Sequence, residues 1–167
     1  VIKSTVTTAI VDHGATQLQD FDKSFRYSNL IKAIDDAEVS VKSNQTSISV
    51  KRLLYPALGS SEAYTLKFSN EIYHPSNTFW GAVSSGEFSY RDTANTLWTG
   101  CKIQDANGVA QVYRTSGQDR IIVDSDVGTV TYTTGKMSLV GFYPIAIGSV
   151  STGNTTALEV SVVPSSS

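Results

Sequence analysis

Val127 to Phe142 reads VGTVTYTTGKMSLVGF, two short alternating segments about a Thr-Gly turn. Thr129, Thr131 and Thr133 alternate with Val130 and Tyr132. After Gly135, Met137, Leu139 and Gly141 fall on one face, with Lys136, Ser138 and Val140 on the other. Period-two alternation of β-branched and aromatic residues marks a half-buried antiparallel strand. Gly135 supplies the positive φ that a tight reversal needs. The stretch therefore predicts a hairpin, and no catalytic pattern lies in it.

Working outward, the same pattern recurs. Leu97, Thr99, Cys101 and Ile103 share one face of a predicted strand. Asp105-Ala106-Asn107-Gly108 follows, and Asn-Gly is a strong hairpin signal. Strands are expected at Val109–Arg114, Arg120–Val123 and Leu158–Val162. Upstream, aromatic-rich strands are expected at Phe79–Val83 and Glu87–Tyr90, and another where Tyr64, Leu66 and Phe68 alternate. His74-Pro75-Ser76-Asn77 interrupts them, and Pro56–Ser61 reads as a loop. Asn44 and Gln45 suggest a turn before a strand from Thr46 to Leu54, with Ile48 and Val50 on its buried face.

One helix stands out, about Ser24 to Ala37, where Tyr27, Leu30, Ile31, Ile34 and Ala37 form an apolar stripe. Ser24 is its candidate N-cap. Val1 to Ile10 reads as a strand rich in β-branched residues, and Val11 to Asp22 as irregular. The expected class is α+β, mainly antiparallel β with one principal packed helix at about 24–37. The 167 residues read as a single β-rich domain or domain fragment, with a subdivision near 56–61 between a helix/strand part and a β meander.

Composition narrows the function classes. Charged residues are 17% of the chain and the formal net charge is -2, with no basic run. Nucleic acid and anionic membranes need clustered Lys and Arg, so neither is expected as a partner. Cys101 is the single cysteine, which excludes an internal disulfide or a multi-Cys metal site and fits a reducing compartment during folding. No apolar run approaches the ~20 residues of a membrane-spanning helix. A start at Val1 and a Ser-rich end make the sequence read as part of something longer.

Each candidate for chemistry meets a plainer reading. Lys136 after Gly135 suggests a phosphate loop, but Val130 stands where that motif needs its first Gly and Met137 where it needs Ser or Thr. His13 beside Asp12, and His74 before Pro75, have no G-x-S-x-G nucleophile elbow to serve. Cys101 on an apolar face packs as a small hydrophobe. Asp20/Asp22, Asp35/Asp36/Glu38 and Asp124/Asp126 lack the rest of a calcium loop. Trp80, Trp98 and the tyrosines serve either as core or as a sugar or protein surface. Asn154-Thr155-Thr156 matches a glycosylation acceptor without a secretory signal beside it. No catalytic, cofactor or metal residue is assigned.

Two segments carry a resemblance. FRYSNLIKAIDDAEVSVKSNQTSISVKR (Phe25 to Arg52) resembles the helix-then-strand segment of the large baseplate wedge subunit, gene product six, of T-even-type contractile-tailed phages. GVAQVYRTSGQDRIIVDSDVGTVTYTTGKMSLVGFYPIAI (Gly108 to Ile147) resembles a strand meander near the C-terminal end of the same family. The first 24 residues and Pro56 to Asn107 carry none. The resemblance implies a structural virion protein without a catalytic site or cofactor, assembled in the host cytoplasm into the tail baseplate. It implies partners in itself, as a homodimer or ring, and in other wedge subunits. The alternatives are a receptor- or carbohydrate-binding β module of a phage tail, marked by an exposed Trp80 or Trp98, and a small hydrolase built on His13 or His74.

Overall fold

The computed structural model of the protein describes residues 2–17, 26–37, 48–148 and 156–165. These residues form α1 (Ile2–Gln17) and α2 (Tyr27–Ala37), then β1 (Val50–Leu54), β2 (Glu62–Lys67), β3 (Trp80–Ser85), β4 (Phe88–Arg91) and β5 (Leu97–Ala106). After these come β6 (Val109–Ser116), β7 (Asp119–Thr131), a 3-10 turn at Tyr132–Thr134, β8 (Lys136–Phe142), β9 (Pro144–Ile147) and β10 (Leu158–Val162). The chain divides into two compact units, one holding both helices and the other spanning Ser49–Pro164.

In the helical unit, Leu30 and Ile34 of α2 are buried, as the apolar stripe requires. Lys32 and Asp36, one turn apart, pair at 2.7 Å on its exposed side. The N-cap expected at Ser24 and the turn at Asn44–Gln45 lie outside the described residues. Val1–Ile10 is corrected: α1 is a helix that continues through Gln17, so the single-helix expectation gives way to two helices packed on each other. β-branched residues favour strands through cross-strand packing. None of the strand pairings of the second unit uses this segment, and local helical bonds satisfy its backbone. No described residue of α1 is buried, so no apolar stripe in the sequence announces it.

The second unit is a ten-stranded, wholly antiparallel sheet that curls into a nearly closed barrel. Its strand order is β1-β10-β3-β5-β6-β7-β8-β2, with β4 pairing both β5 and β9. β9 follows β8 after Tyr143 alone, so β4 links the β5 side of the curl to the β8–β9 side directly. Elsewhere β3, β10, β1 and β2 span that interval. The interior holds Phe68, Val83, Tyr90, Ile103, Val112, Met137, Leu139, Phe142 and Val160 among others. Phe142 anchors it, meeting Phe88 edge-on at 5.2 Å and stacking on Tyr90 at 5.8 Å.

The β7–β8 hairpin forms as its alternation predicts. Val130, Met137 and Leu139 are buried while Thr129, Thr131 and Lys136 are exposed. Gly135 sits in the left-handed region at φ 58°, and a Cβ there would lie 1.9 Å from the Asn70 carbonyl oxygen. Asn107 and Gly108, both at positive φ, make the two-residue turn between β5 and β6. Two faces depart from simple alternation. Gly141 is exposed and Phe142 buried, because β8 carries one extra residue between the pairs Tyr64–Leu139 and Glu62–Phe142. Leu97 and Thr99 do not share the buried face of Cys101 and Ile103. An extra residue beside Gly100 (φ 67°) turns half-buried Trp98 inward instead. Of the strand expected from Thr46, Thr46 and Ser47 lie outside the described residues, Ile48 and Ser49 are not in a strand, and β1 starts at Val50.

Candidate assembly interface

Cys101 is fully buried opposite Arg114, and burial pushes its thiol up to about 11, away from the nucleophilic thiolate. His74 lies flat on the Tyr132 ring at 3.9 Å, and its Nε2 meets the Phe79 carbonyl at 3.2 Å. His13 and Asp12 line an open groove between α1 and α2 with Asn29, Lys32 and Asp36. Lys136 is exposed where β8 begins, beyond a 3-10 turn rather than a glycine-rich cradle. Among the described residues no group of His, Cys, Asp and Glu is placed to hold a metal ion. Asp20, Asp22, Glu38 and Asn154 lie outside the described residues.

Asp124 accepts the Tyr90 hydroxyl at 2.9 Å, and burial, then that bond, raises the phenol's pKa above its ordinary value. Trp98 donates Nε1 to Asp92 at 2.8 Å, which with the Thr96 amide holds the Asp92 carboxyl below the usual range. Trp98 is therefore tied into the fold. Trp80 is 54% exposed, with the Arg120 guanidinium 3.8 Å over its ring and the same guanidinium 4.5 Å from Tyr113. Arg120 also donates to Gln104, which bonds in turn to Gln111.

Asp105 is a buried carboxylate that sequence reading takes for a turn residue. It sits where β3 carries extra residues between the pairs Trp80–Ala106 and Ser84–Gln104. That irregularity takes the Val83 N–H off the ladder, and the Asp105 carboxylate accepts it at 2.7 Å. Its other oxygen accepts the Tyr132 hydroxyl at 2.7 Å, and that hydroxyl accepts the Gly108 N–H at 2.6 Å. Burial, then the bond to Asp105, raises the Tyr132 pKa. Three loops and strands are thus locked by one carboxylate. An aspartate flanked by Gln104 and Ala106 in an apolar-faced strand was the available signal.

What the fold leaves open is surface. β1 pairs β10 on one side and β2 pairs β8 on one side, so each lacks a second ladder partner among the described residues. Tyr73 and Phe79 form an exposed edge-to-face pair at 6.4 Å, beside exposed Val163 through the Tyr73 N–H to Val163 carbonyl bond. Leu53, Tyr55 and Leu58 are exposed around the end of β1. Open edges and exposed aromatics are features of association surfaces.

Comparison with known families bears on the N-terminal part of the chain. Residues 1–52 match the family model described as baseplate structural protein gp6, C-terminal domain III. The class this supports is a structural protein of the phage baseplate. More particularly, the match supports a gp6-type baseplate wedge protein. The matched stretch holds both helices and the first residues of β1, and so includes Phe25 to Arg52. It also takes in the first 24 residues, correcting their reading as free of resemblance. Gly108 to Ile147 lies beyond it. No curated protein matches the chain. Among the described residues no helix is long and apolar enough to cross a membrane.

Proposed function

We propose that this chain works as a phage tail baseplate wedge component through protein–protein assembly contacts, with a second copy of itself and with other wedge subunits of a contractile tail. The observation that carries the reading is the match of residues 1–52 to the gp6 domain. The open edges of β1 and β2 and the exposed Tyr73–Phe79 pair support it, since such surfaces are stabilised by covering them. Assembly in the host cytoplasm follows from the same reading, and the single buried Cys101 is compatible with it. Gold labelling of an epitope-tagged chain in purified tails is expected to mark the baseplate. Label on fibres or heads, or none, overturns the reading. Light scattering is expected to give at least the mass of a dimer, and a monomer at high concentration removes the self-association.

A second reading, a carbohydrate-binding module, has one observation in its favour: exposed Trp80 beside Gln104 and Arg120. Against it, Arg120 already covers a face of the ring that a sugar would stack on. Glycan-array binding that is lost in Trp80→Ala would favour this module over the wedge.

A further inference from the structure

β1 and β2 follow one another in the chain without pairing. They meet where Arg52 Nε donates to the Lys67 carbonyl at 3.1 Å. The Phe68 N–H bonds to Gly135 on the β8 side. Successive residues of a strand direct their amide groups to alternate sides, so the Lys67 carbonyl points away from β8 and into the open seam. A neighbouring strand's N–H would ordinarily take that carbonyl. Here a side chain does.

Reach sets an upper bound on the seam's width. Adjacent strands lie about 4.8 Å apart. An extended arginine carries Nε roughly 5 Å beyond its own Cα, so an Nε to carbonyl bond allows a gap of up to about two strand spacings, the room one added strand needs. The charge at this place is one-sided. Lys67 stands directly opposite Lys136 in the β2–β8 ladder, and Arg52 joins them across the seam. All three are exposed, and among the described residues none of them forms an ion pair. Lys51, next to Arg52, differs in being paired with Glu159 at 2.6 Å. Like charges directly opposite destabilise a ladder, and an anionic occupant would turn that repulsion into attraction.

We propose that the β1–β2 seam receives an extended acidic segment of a neighbouring protein. The segment adds itself to the edge of β2 that has no ladder partner among the described residues, and takes the Lys67 carbonyl from Arg52. A carboxylate opposite Lys67 then lies beside the Lys67–Lys136 pair, with Lys136 one strand further in, and the released Arg52 guanidinium pairs with another. Backbone bonds supply the grip and the three cations the selectivity, the division of labour of strand addition. Because recognition runs through main-chain N–H groups, the occupant is a peptide rather than a phosphate-bearing polymer. This deepens the assembly reading above and rests on it for the presence of a neighbour.

The test uses the whole chain and a labelled peptide of about seven residues, a typical strand length, alternating glutamate and valine. Its counterparts replace glutamate with lysine or carry N-methyl groups on alternate amides. The glutamate peptide is expected to bind at least about tenfold more tightly than the lysine peptide. It should slow amide exchange in Val50–Leu54 and Glu62–Lys67, and the N-methyl peptide should not bind. The Lys67→Glu, Lys136→Glu double variant should reverse the preference. Equal binding of the acidic and basic peptides, binding without protection of these strands, or tolerance of N-methylation overturns the proposal. Concentration-dependent protection of the same strands in the chain alone assigns the seam to a second copy and equally overturns it. Baseplate labelling without peptide binding removes the seam proposal alone, whereas peptide binding without baseplate labelling removes the assembly reading.

Discussion

β7 with β8, and β1 with β2, are both pairs of consecutive strands joined by a short connection, yet one pair zips and the other stays apart. In the first, Gly128 to Thr131 register against Leu139 to Lys136, and Gly135 closes the turn. In the second, Pro56–Ser61 intervenes, β1 pairs with β10 and β2 with β8, and the Arg52 side chain crosses between them. Alternation makes a segment a strand, but partner choice belongs to the closest backbone that fits. The zipped pair owes its fit to absent side chains. A Cβ at Gly128 would fall 2.0 Å from the Ser138 carbonyl oxygen, and one at Gly135 1.9 Å from that of Asn70.

The largest break in this comparison is therefore Gly128→Ala. The clash is with backbone, which cannot rotate away, and φ 151° is itself unfavourable for a side chain. Chemical denaturation should show a loss of about 3 kcal/mol or more, by strain and ladder disruption together. A loss below ~1 kcal/mol would mean that the two strands are not held at the spacing described.

Next is Tyr132→Phe, beside the same turn. It leaves one oxygen of buried Asp105 and the Gly108 N–H without their partner, and about 1–3 kcal/mol should be lost near neutral pH. The pH dependence gives a second readout. The Tyr132 pKa is raised in the fold, so its stabilising effect is complete below about pH 10, the ordinary phenol value. Above that the unfolded chain ionises first and the contribution falls as pH rises toward the folded pKa. Cys101 adds an earlier decline between its ordinary value of 9.0 and about 11, in the same direction. Urea midpoints from pH 8 to 11 should fall for the native chain and less steeply for Tyr132→Phe. Parallel curves would mean that Tyr132 does not sense burial.

How much of this was legible depends on distance along the chain. Asn107-Gly108 and Thr134-Gly135 carry their turns in adjacent residues, so both hairpins can be read directly. Leu30 and Ile34 announce α2 through spacing, while α1 has no buried face to leave such a trace. The inward turn of Trp98 and of Phe142 follows from one extra residue in β5 and in β8. Gly100 and Gly141 hint at those bulges, but their effect depends on the partner strand. Asp105, Val83 and Tyr132 come together across three elements, and Arg52 meets Lys67 only once two other strands have taken their places. Long-range pairing has no local code, which is why the interior faces were readable and the seam was not.

Lys136→Glu acts on the boundary between the two pairs, because Lys136 belongs to the zipped hairpin and faces Lys67 of the open one. Replacing a directly opposed like charge with an opposite one should stabilise the chain by about 0.5 kcal/mol. The gain should shrink as salt is raised. A change without salt dependence would trace to propensity rather than to the Lys67–Lys136 repulsion.

Arg52→Ala carries the smallest expected effect on folding and separates support from occupancy. Its bond to Lys67 is exposed, and water can replace it at the carbonyl, so thermal and urea stability should move by no more than about 0.5 kcal/mol. If Arg52 instead clamps the curl shut, as a ladder would, the loss should exceed ~1 kcal/mol and amides of β1 and β2 should exchange together with those of β10 and β8. A small loss, with faster exchange confined to Val50–Leu54 and Glu62–Lys67, shows that the barrel stands without the latch. The carbonyl that Arg52 covers is then free to be taken by another strand at little cost to the fold.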